Sequence, residues 1–178
     1  MVVMRKTGIT LVTAAAAALL LAGCSGGSET GGAPAPAPEN KLAGFDPCTV
    51  LSDSELQAFG ASGPGEPVDQ GVGEPGCDFD AGDYILTVYK AEGNGLDYWE
   101  GQRSKFGIFE PNKVGSSNGI KAVTSGSQGQ GICRQIIEAG GGTVSVSVGY
   151  SADKIPSDDA TCTKAMEIAQ VVEPKLPK

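Results

Sequence analysis

The chain has no histidine among its 178 residues. This absence excludes every catalytic mechanism or metal site that depends on an imidazole base or ligand. Basic residues are also scarce, since 13 lysines and arginines stand against 21 acidic residues and leave a net charge of −8. After Lys6 the basic residues are scattered singly, whereas affinity for nucleic acid comes mainly from clustered lysine and arginine. We therefore expect no nucleic-acid partner.

An apolar stretch near the N-terminus predicts export from the cytoplasm. Arg5 and Lys6 precede residues 8–21, a run that is short for a membrane span and typical of a signal peptide. The run leads into the letters L-A-G-C, which end at Cys24 and resemble the lipobox of bacterial lipoproteins, where the chain is cut before an acylated cysteine. We expect residues 1–23 to be a lipoprotein signal peptide. Cys24 would then carry acyl chains such as palmitate and anchor the protein on the extracytoplasmic face of the cell membrane; the alternative is an ordinary secretory peptide.

Residues 24–41 are predicted to be a lipidated cysteine followed by a tether. From Ser25 to Asn40 the chain has no large apolar side chain, and this segment ends in alternating alanine and proline. Glycine and serine make such a segment flexible, and the alanine–proline run makes it extended. We expect residues 42–178 to form a single globular domain.

Capping residues mark the two helices that lie nearest the ends of this domain. Ser52 and Glu55 form a capping box, and Gly60 supplies the stop of a short first helix. The last helix is predicted to begin after Ser157, whose side chain can cap it, and to end at Pro174.

The segments between these helices predict a sheet. Leu96, Trp99 and Phe106 fall roughly on one face of a helix between Gly95 and Phe106, whereas the Gly/Pro-rich segment up to Gly76 is expected to be a loop. The order α-β-β-α-β-β-β-α predicts an α+β fold, with an antiparallel five-stranded sheet and about three packed helices. Alternating apolar and polar residues predict these strands at 77–80, 84–90, 120–124, 132–138 and 143–150.

Four cysteines follow Cys24, at Cys48, Cys77, Cys133 and Cys162. An even number of cysteines in an exported chain favours disulfides, so we expect two of them to staple the fold. A zinc site is the alternative, but no two of these cysteines show the C-x₂-C spacing typical of zinc ligands. Three pairings remain open. Pairing Cys48 with Cys77 and Cys133 with Cys162 closes the shorter loops, whereas pairing Cys48 with Cys162 would tie the two ends together.

The chain contains a match to the motif of a serine nucleophile. Residues 115–119 read G-S-S-N-G and match G-x-S-x-G, whose serine needs a preceding strand, a following helix and a histidine that takes its proton. Here a strand is predicted to follow and no histidine exists, so we expect a loop. No catalytic, cofactor-binding or metal-binding residue is predicted, and no cofactor. Tyr98 is a candidate interaction residue, because the neighbouring Trp99 is expected to face the core.

Short motifs around the cysteines resemble a known family. The resemblance runs from about Phe45 to Pro177, and Phe79 stands where the family usually has tryptophan. The motifs are D-P-C at Cys48, G-C at Cys77, G-I-C at Cys133, and C-T-K-A from Cys162 with Leu176-Pro177. They resemble the actinobacterial lipoproteins of the domain-of-unknown-function family 3558. Such a resemblance implies a location and a scaffold but no reaction.

Taken together, these features predict a membrane-anchored extracytoplasmic lipoprotein that is not an enzyme. We expect a binding or protein-interaction module of the cell envelope, with an envelope protein or a small ligand as its partner. One alternative is a hydrolase that uses carboxylates alone, because 21 acidic residues could supply the paired carboxylates that such an enzyme needs. The other alternative is a structural or immunity-type lipoprotein.

Overall fold

The centre of the fold is one antiparallel sheet of seven strands. The computed structural model describes residues 40–178, so the predicted signal peptide, Cys24 and nearly all of the predicted tether lie outside the described residues. The strands are β1 (Ser62–Val68), β2 (Gly76–Asp80), β3 (Tyr84–Ala91), β4 (Phe106–Val114), β5 (Ser117–Thr124), β6 (Ile132–Ala139) and β7 (Gly142–Tyr150). Their order in the sheet is β1-β2-β3-β7-β6-β5-β4.

Three α-helices accompany the sheet in the described part of the chain. They are α1 (Asp53–Ala58), α2 (Leu96–Gly101) and α3 (Asp158–Val172), and short 3-10 turns follow at Arg103–Lys105 and Glu173–Lys175. Both predicted caps are present, because the Ser52 and Glu55 side chains form the reciprocal capping box of α1 and the Ser157 side chain accepts a hydrogen bond from the Ala160 backbone. The α+β class, the antiparallel sheet and the three helices are confirmed, but the prediction of five strands is wrong.

One missed strand is β1, which lies in the segment predicted to be a loop. It forms one edge of the sheet and pairs with β2, for example Glu66 with Asp78 and Pro67 with Cys77. Most of its residues are exposed, so the strand shows no alternation of apolar and polar side chains. Its prolines, Pro64 and Pro67, are tolerated because an edge strand needs hydrogen-bond donors on one side only.

The other missed strand is β4, which forms the opposite edge of the sheet. The helix predicted for residues 95–106 ends at Gly101, and Phe106 begins β4. Pro111 interrupts the β4 pattern, as an edge strand permits. Strand β4 pairs with β5 along its whole length, from Phe106 opposite Thr124 to Val114 opposite Ser117. Strand β5, predicted at 120–124, therefore begins earlier, at Ser117.

The main core lies between α3 and one face of the sheet. Helix α3 packs on β6 and β7 and buries an apolar stripe, while Met166 is half-buried. The buried apolar residues of the stripe are Cys162, Ala165, Ile168, Ala169 and Val172. Val144, Val146 and Val148 meet it from β7. Each such side chain contributes about 1.5–3 kcal/mol when it is removed from water.

Two disulfides staple this core face of the sheet. The structure joins Cys48 to Cys77 on β2 and Cys133 on β6 to Cys162 on α3, each with a sequence separation of 29 residues. This is the pairing that closes the shorter loops. All four cysteines are therefore used in covalent cross-links, which leaves no thiolate for a zinc site among them.

The second face of the sheet is covered only in part. Helix α2 lies over it and places Trp99 in a smaller cluster with Phe109, Ile120 and Ile136. The indole Nε1 of Trp99 donates a hydrogen bond of 3.0 Å to the hydroxyl of Thr143. Within residues 40–178, no helix has the length and apolar composition needed to cross a membrane.

Candidate functional site

A groove of about 400 Å³ lies on the second face of the sheet, beside α2. The alternation of β7 explains its position: Val146 and Val148 point into the main core, so Ser147 points to the opposite face. Ile132 and Arg134 of β6 share this face and form the floor together with Ser147. The sheet is therefore the rigid base of the groove.

Two connecting segments form the walls of the groove. One wall comes from α2 and the turn after it, which contribute Tyr98, Gln102 and Lys105. The other wall is the loop between β1 and β2, residues 69–75, which contributes Val72 and Glu74. The groove thus combines elements that lie far apart in the sequence.

The two neighbouring aromatic residues of α2 have different environments. Trp99 is 4% exposed and Tyr98 is 41% exposed, and their rings meet edge to face with centroids 5.6 Å apart. Phe106 extends the aromatic surface, with its ring centroid 6.3 Å from that of Trp99. The structure therefore places Tyr98, the candidate interaction residue, on the wall of the groove.

Arg134 is held in place by both aromatic stacking and an ion pair. Its guanidinium carbon lies 4.8 Å from the ring centroid of Tyr89 and 5.8 Å from that of Trp99. Its Nη1 donates to Glu74 Oε2 over 2.6 Å. Arg134 could not be predicted from the sequence, because only the tertiary fold brings the loop, α2 and β6 together around it. A single arginine on a strand carries no local signal.

The groove has an excess of positive charge although the chain is acidic. Arg134 and Lys105 face a single carboxylate, Glu74, among the residues that line it. Within residues 40–178, Lys105 has no carboxylate partner, and its ammonium group donates to the side-chain amide of Gln102. The local charge of the groove is therefore opposite to that of the whole protein.

A larger depression of about 570 Å³ lies between α3 and the β4–β5 edge. The polar groups that the sheet contributes to it are paired within the protein. The side-chain amides of Asn112 and Gln135 bond to each other reciprocally, at 3.1 Å and 2.8 Å, and Lys121 pairs with Glu110. The groove beside α2 is therefore the better candidate for a binding site.

The G-S-S-N-G segment forms the turn between β4 and β5 and the start of β5, and not a nucleophile elbow. Ser116 and Ser117 donate hydrogen bonds of 2.9 Å and 2.7 Å to Oε1 of Glu173, which is 4% exposed. The hydrogen bond from Lys178, followed by that from Ser117, lowers the pKa of Glu173 to about 2. A carboxylate with so low a pKa is a poor proton acceptor, so this arrangement fastens the chain after α3 to the β4–β5 turn. No cluster of three or more potential metal ligands occurs within residues 40–178.

Comparison with known proteins assigns the chain to a family. No curated protein and no solved structure matches it. The family described as "Protein of unknown function (DUF3558)" matches residues 19–175, a range that contains all four disulfide cysteines and the whole groove. This match confirms the family resemblance seen in the cysteine motifs. The chain belongs to the DUF3558 family.

Proposed function

We propose that the protein is an extracytoplasmic lipoprotein, anchored to the cell membrane through Cys24, that binds a ligand in the groove beside α2. The observation that carries the proposal is the groove itself, which combines a 41% exposed tyrosine with a rigidly held arginine. Its volume of about 400 Å³ falls in the range of small-molecule sites, which are concave and largely apolar with a few placed polar groups.

The chemistry of the groove favours binding over catalysis. A hydrolase that works with carboxylates alone needs two of them, an acid and a base or nucleophile, on either side of the bond that is cut. Glu74 is the single carboxylate that lines the groove, and it is paired with Arg134. Such a set of side chains can hold and orient a ligand.

The proposed location is supported by the N-terminal sequence and by the disulfides. Residues 1–24 have the order of charge, apolar run and cysteine that lipoprotein processing requires, and disulfides persist in oxidising compartments outside the cytoplasm. We expect the intact mass of the mature protein to include acyl chains, which Cys24→Ser removes and Ser25→Ala, the control beside it, keeps. A mature protein without the mass of any acyl chain would contradict lipid anchoring.

Ligand binding in the groove can be tested in cells by photo-crosslinking. Benzoylphenylalanine replaces Tyr98 in one variant and Lys113, an exposed residue of the β4–β5 hairpin, in the other. We expect a defined adduct at position 98 and none at position 113, detected as a mass increase of the purified protein. Equal labelling at both positions would count against the groove as the binding site.

A further inference from the structure

The guanidinium group of Arg134 has donors to spare. Only Nη1 has a hydrogen-bond partner within residues 40–178, the Glu74 carboxylate. No buried side-chain nitrogen or oxygen in that range lacks a partner, so Nη2 and Nε must reach solvent. Arginine can bind a carboxylate through two parallel N–H bonds, and here the stacking on Tyr89 and Trp99 has already fixed the orientation of the fork.

Lys105 supplies a second uncompensated cation in the same groove. The only polar contact of its ammonium group in the described residues is the neutral amide of Gln102. Because Glu74 balances one of the two positive charges, the lining carries a net charge of about +1 in a chain whose net charge is −8. Charge complementarity therefore favours a ligand with one negative charge.

The remaining exposed surface of the groove is apolar. Tyr98 and Ile132 are each 41% exposed, and Val72 is 62% exposed. All three line the groove, so they give an apolar body a place to lie beside the two cations. Large exposed apolar side chains that converge on one concavity are typical of a binding surface.

We propose that the groove binds a small amphipathic monocarboxylate. The carboxylate of the ligand accepts hydrogen bonds from Arg134 and Lys105, and its apolar body packs against Tyr98 and Ile132. This inference rests on the proposed function of the groove and adds the chemical class of the ligand. The Glu74 carboxylate already binds Nη1 of Arg134, so it competes with the carboxylate of the ligand for the guanidinium charge.

Trp99 allows a direct test because it is the single tryptophan of the chain and lines the groove. The mature protein is titrated with decanoate, decanol and decylamine while the tryptophan fluorescence is recorded. We expect decanoate to bind about tenfold more tightly than decylamine and more tightly than decanol. The preference for decanoate should decrease as salt is added, because ions screen partly exposed charges.

A matched pair of lysine variants separates local charge from total charge. Lys105→Gln should weaken decanoate binding roughly threefold to fivefold, the upper part of the range of an exposed ion pair, and should leave decanol binding unchanged. Lys113→Gln removes the same charge from the β4–β5 hairpin and should have no effect. If both variants weakened decanoate binding equally, the role of Lys105 would be refuted.

A matched pair of glutamate variants tests the competition at Arg134. Glu74→Gln removes the competing carboxylate and should tighten decanoate binding, whereas Glu110→Gln, which removes a carboxylate paired with Lys121 on the other face of the sheet, should not. Weaker decanoate binding in Glu74→Gln would contradict the inference, because it would mean that Glu74 supports the site.

The outcomes distinguish the ligand class from the function of the groove. If decanol or decylamine binds as tightly as decanoate, and Tyr98→Ala abolishes that binding, then the carboxylate is refuted while the groove remains a binding site. If none of the three compounds changes the tryptophan fluorescence and position 98 yields no crosslink in cells, both proposals fail.

Discussion

Among single residues, Glu173 and Glu55 make the most extensive polar contacts of any carboxylates in the described structure. Glu173 receives hydrogen bonds from Ser116, Ser117 and Lys178. Glu55 pairs with Lys175 and closes the capping box of α1 at Ser52. Both interactions fasten the segment after α3 to other parts of the fold. These two carboxylates therefore contribute to stability far from the groove.

These two carboxylates predict a loss of stability in acid. Hydrogen bonds from lysine and serine lower the pKa of each from 4.5 to about 2 in the folded protein. As the pH falls, these carboxylates take up protons in the unfolded chain before they do so in the folded protein. Their contribution to the free energy of unfolding is therefore complete above about pH 4.5 and is lost as the pH falls towards 2. Urea unfolding measured across this range should show the decrease.

Glu173→Gln should remove the part of the acid-induced loss of stability that Glu173 causes. The amide keeps an acceptor but loses the charge, so the free energy of unfolding near neutral pH should fall by about 1–2 kcal/mol. Glu66→Gln, at an exposed residue of β1, is the control with the same change of charge. An unchanged acid slope in Glu173→Gln would show that Glu173 does not hold the chain as described.

Gly115 is a second residue whose environment can be tested. Its φ is +56°, a conformation that favours glycine, and a Cβ there would lie 2.5 Å from Oε2 of Glu173. Gly126 also has a positive φ, +84°, but a Cβ there meets nothing within 4 Å. Gly126→Ala should cost about 1–2 kcal/mol for the backbone alone, and Gly115→Ala should cost more in thermal or urea unfolding. An equal loss of unfolding free energy in the two variants would mean that the Glu173 side chain moves away from the new Cβ without cost.

At the scale of elements, sequence signals were reliable where they were local. The capping box predicted α1, the Ser157 cap and Pro174 predicted α3, and the alternation from Thr143 to Tyr150 predicted β7. The two edge strands were missed because an edge strand is held by pairing on one side and tolerates exposed residues and proline. Phe106 was placed on a helix because its spacing from Leu96 and Trp99 roughly fits one helical face. Its ring does lie beside that of Trp99, but from the start of β4.

The groove could be predicted only in part. The contrast between Tyr98 and Trp99 follows from helical geometry, since successive residues point about 100° apart. The position of Arg134 depends on the pairing of β6 with β7 and on the course of the loop at residues 69–75. Those are long-range features that no window of sequence contains.

The two disulfides provide a test of how such cross-links stabilise the fold. Both join residues separated by 29 positions, so the chain-entropy account predicts the same loss, about 3–4 kcal/mol, when either pair is replaced by alanine. Urea unfolding of Cys48→Ala/Cys77→Ala and Cys133→Ala/Cys162→Ala measures the two losses. A clear difference between them would show that native-state packing, and not loop closure, dominates.

For the whole molecule, the two faces of the sheet have different roles. One face carries α3, the main core and both disulfides. The other face carries a smaller cluster and leaves the groove open beside it. The larger core and both disulfides lie on the first face, so we expect substitutions in the groove to have little effect on the fold.

The edge prolines predict how the molecule behaves at high concentration. Both edges of the sheet carry proline, Pro67 on β1 and Pro111 on β4, which removes backbone donors that another chain could pair with. The double variant Pro67→Thr/Pro111→Thr should associate faster, measured by light scattering. Pro156→Thr, outside the sheet, is the control and should behave like the parent protein.

The edge prolines also have a consequence for a protein that is anchored to a membrane. Copies of a lipid-anchored protein share a plane, where they meet far more often than the same number of copies dispersed in the volume around them. In such a layer an open strand on every copy would be a seed for lateral polymers that grow in the plane of the membrane. Proline on both edges of the sheet prevents this strand pairing between copies. We therefore expect the proposed lipoprotein to remain monomeric even where it covers a membrane densely.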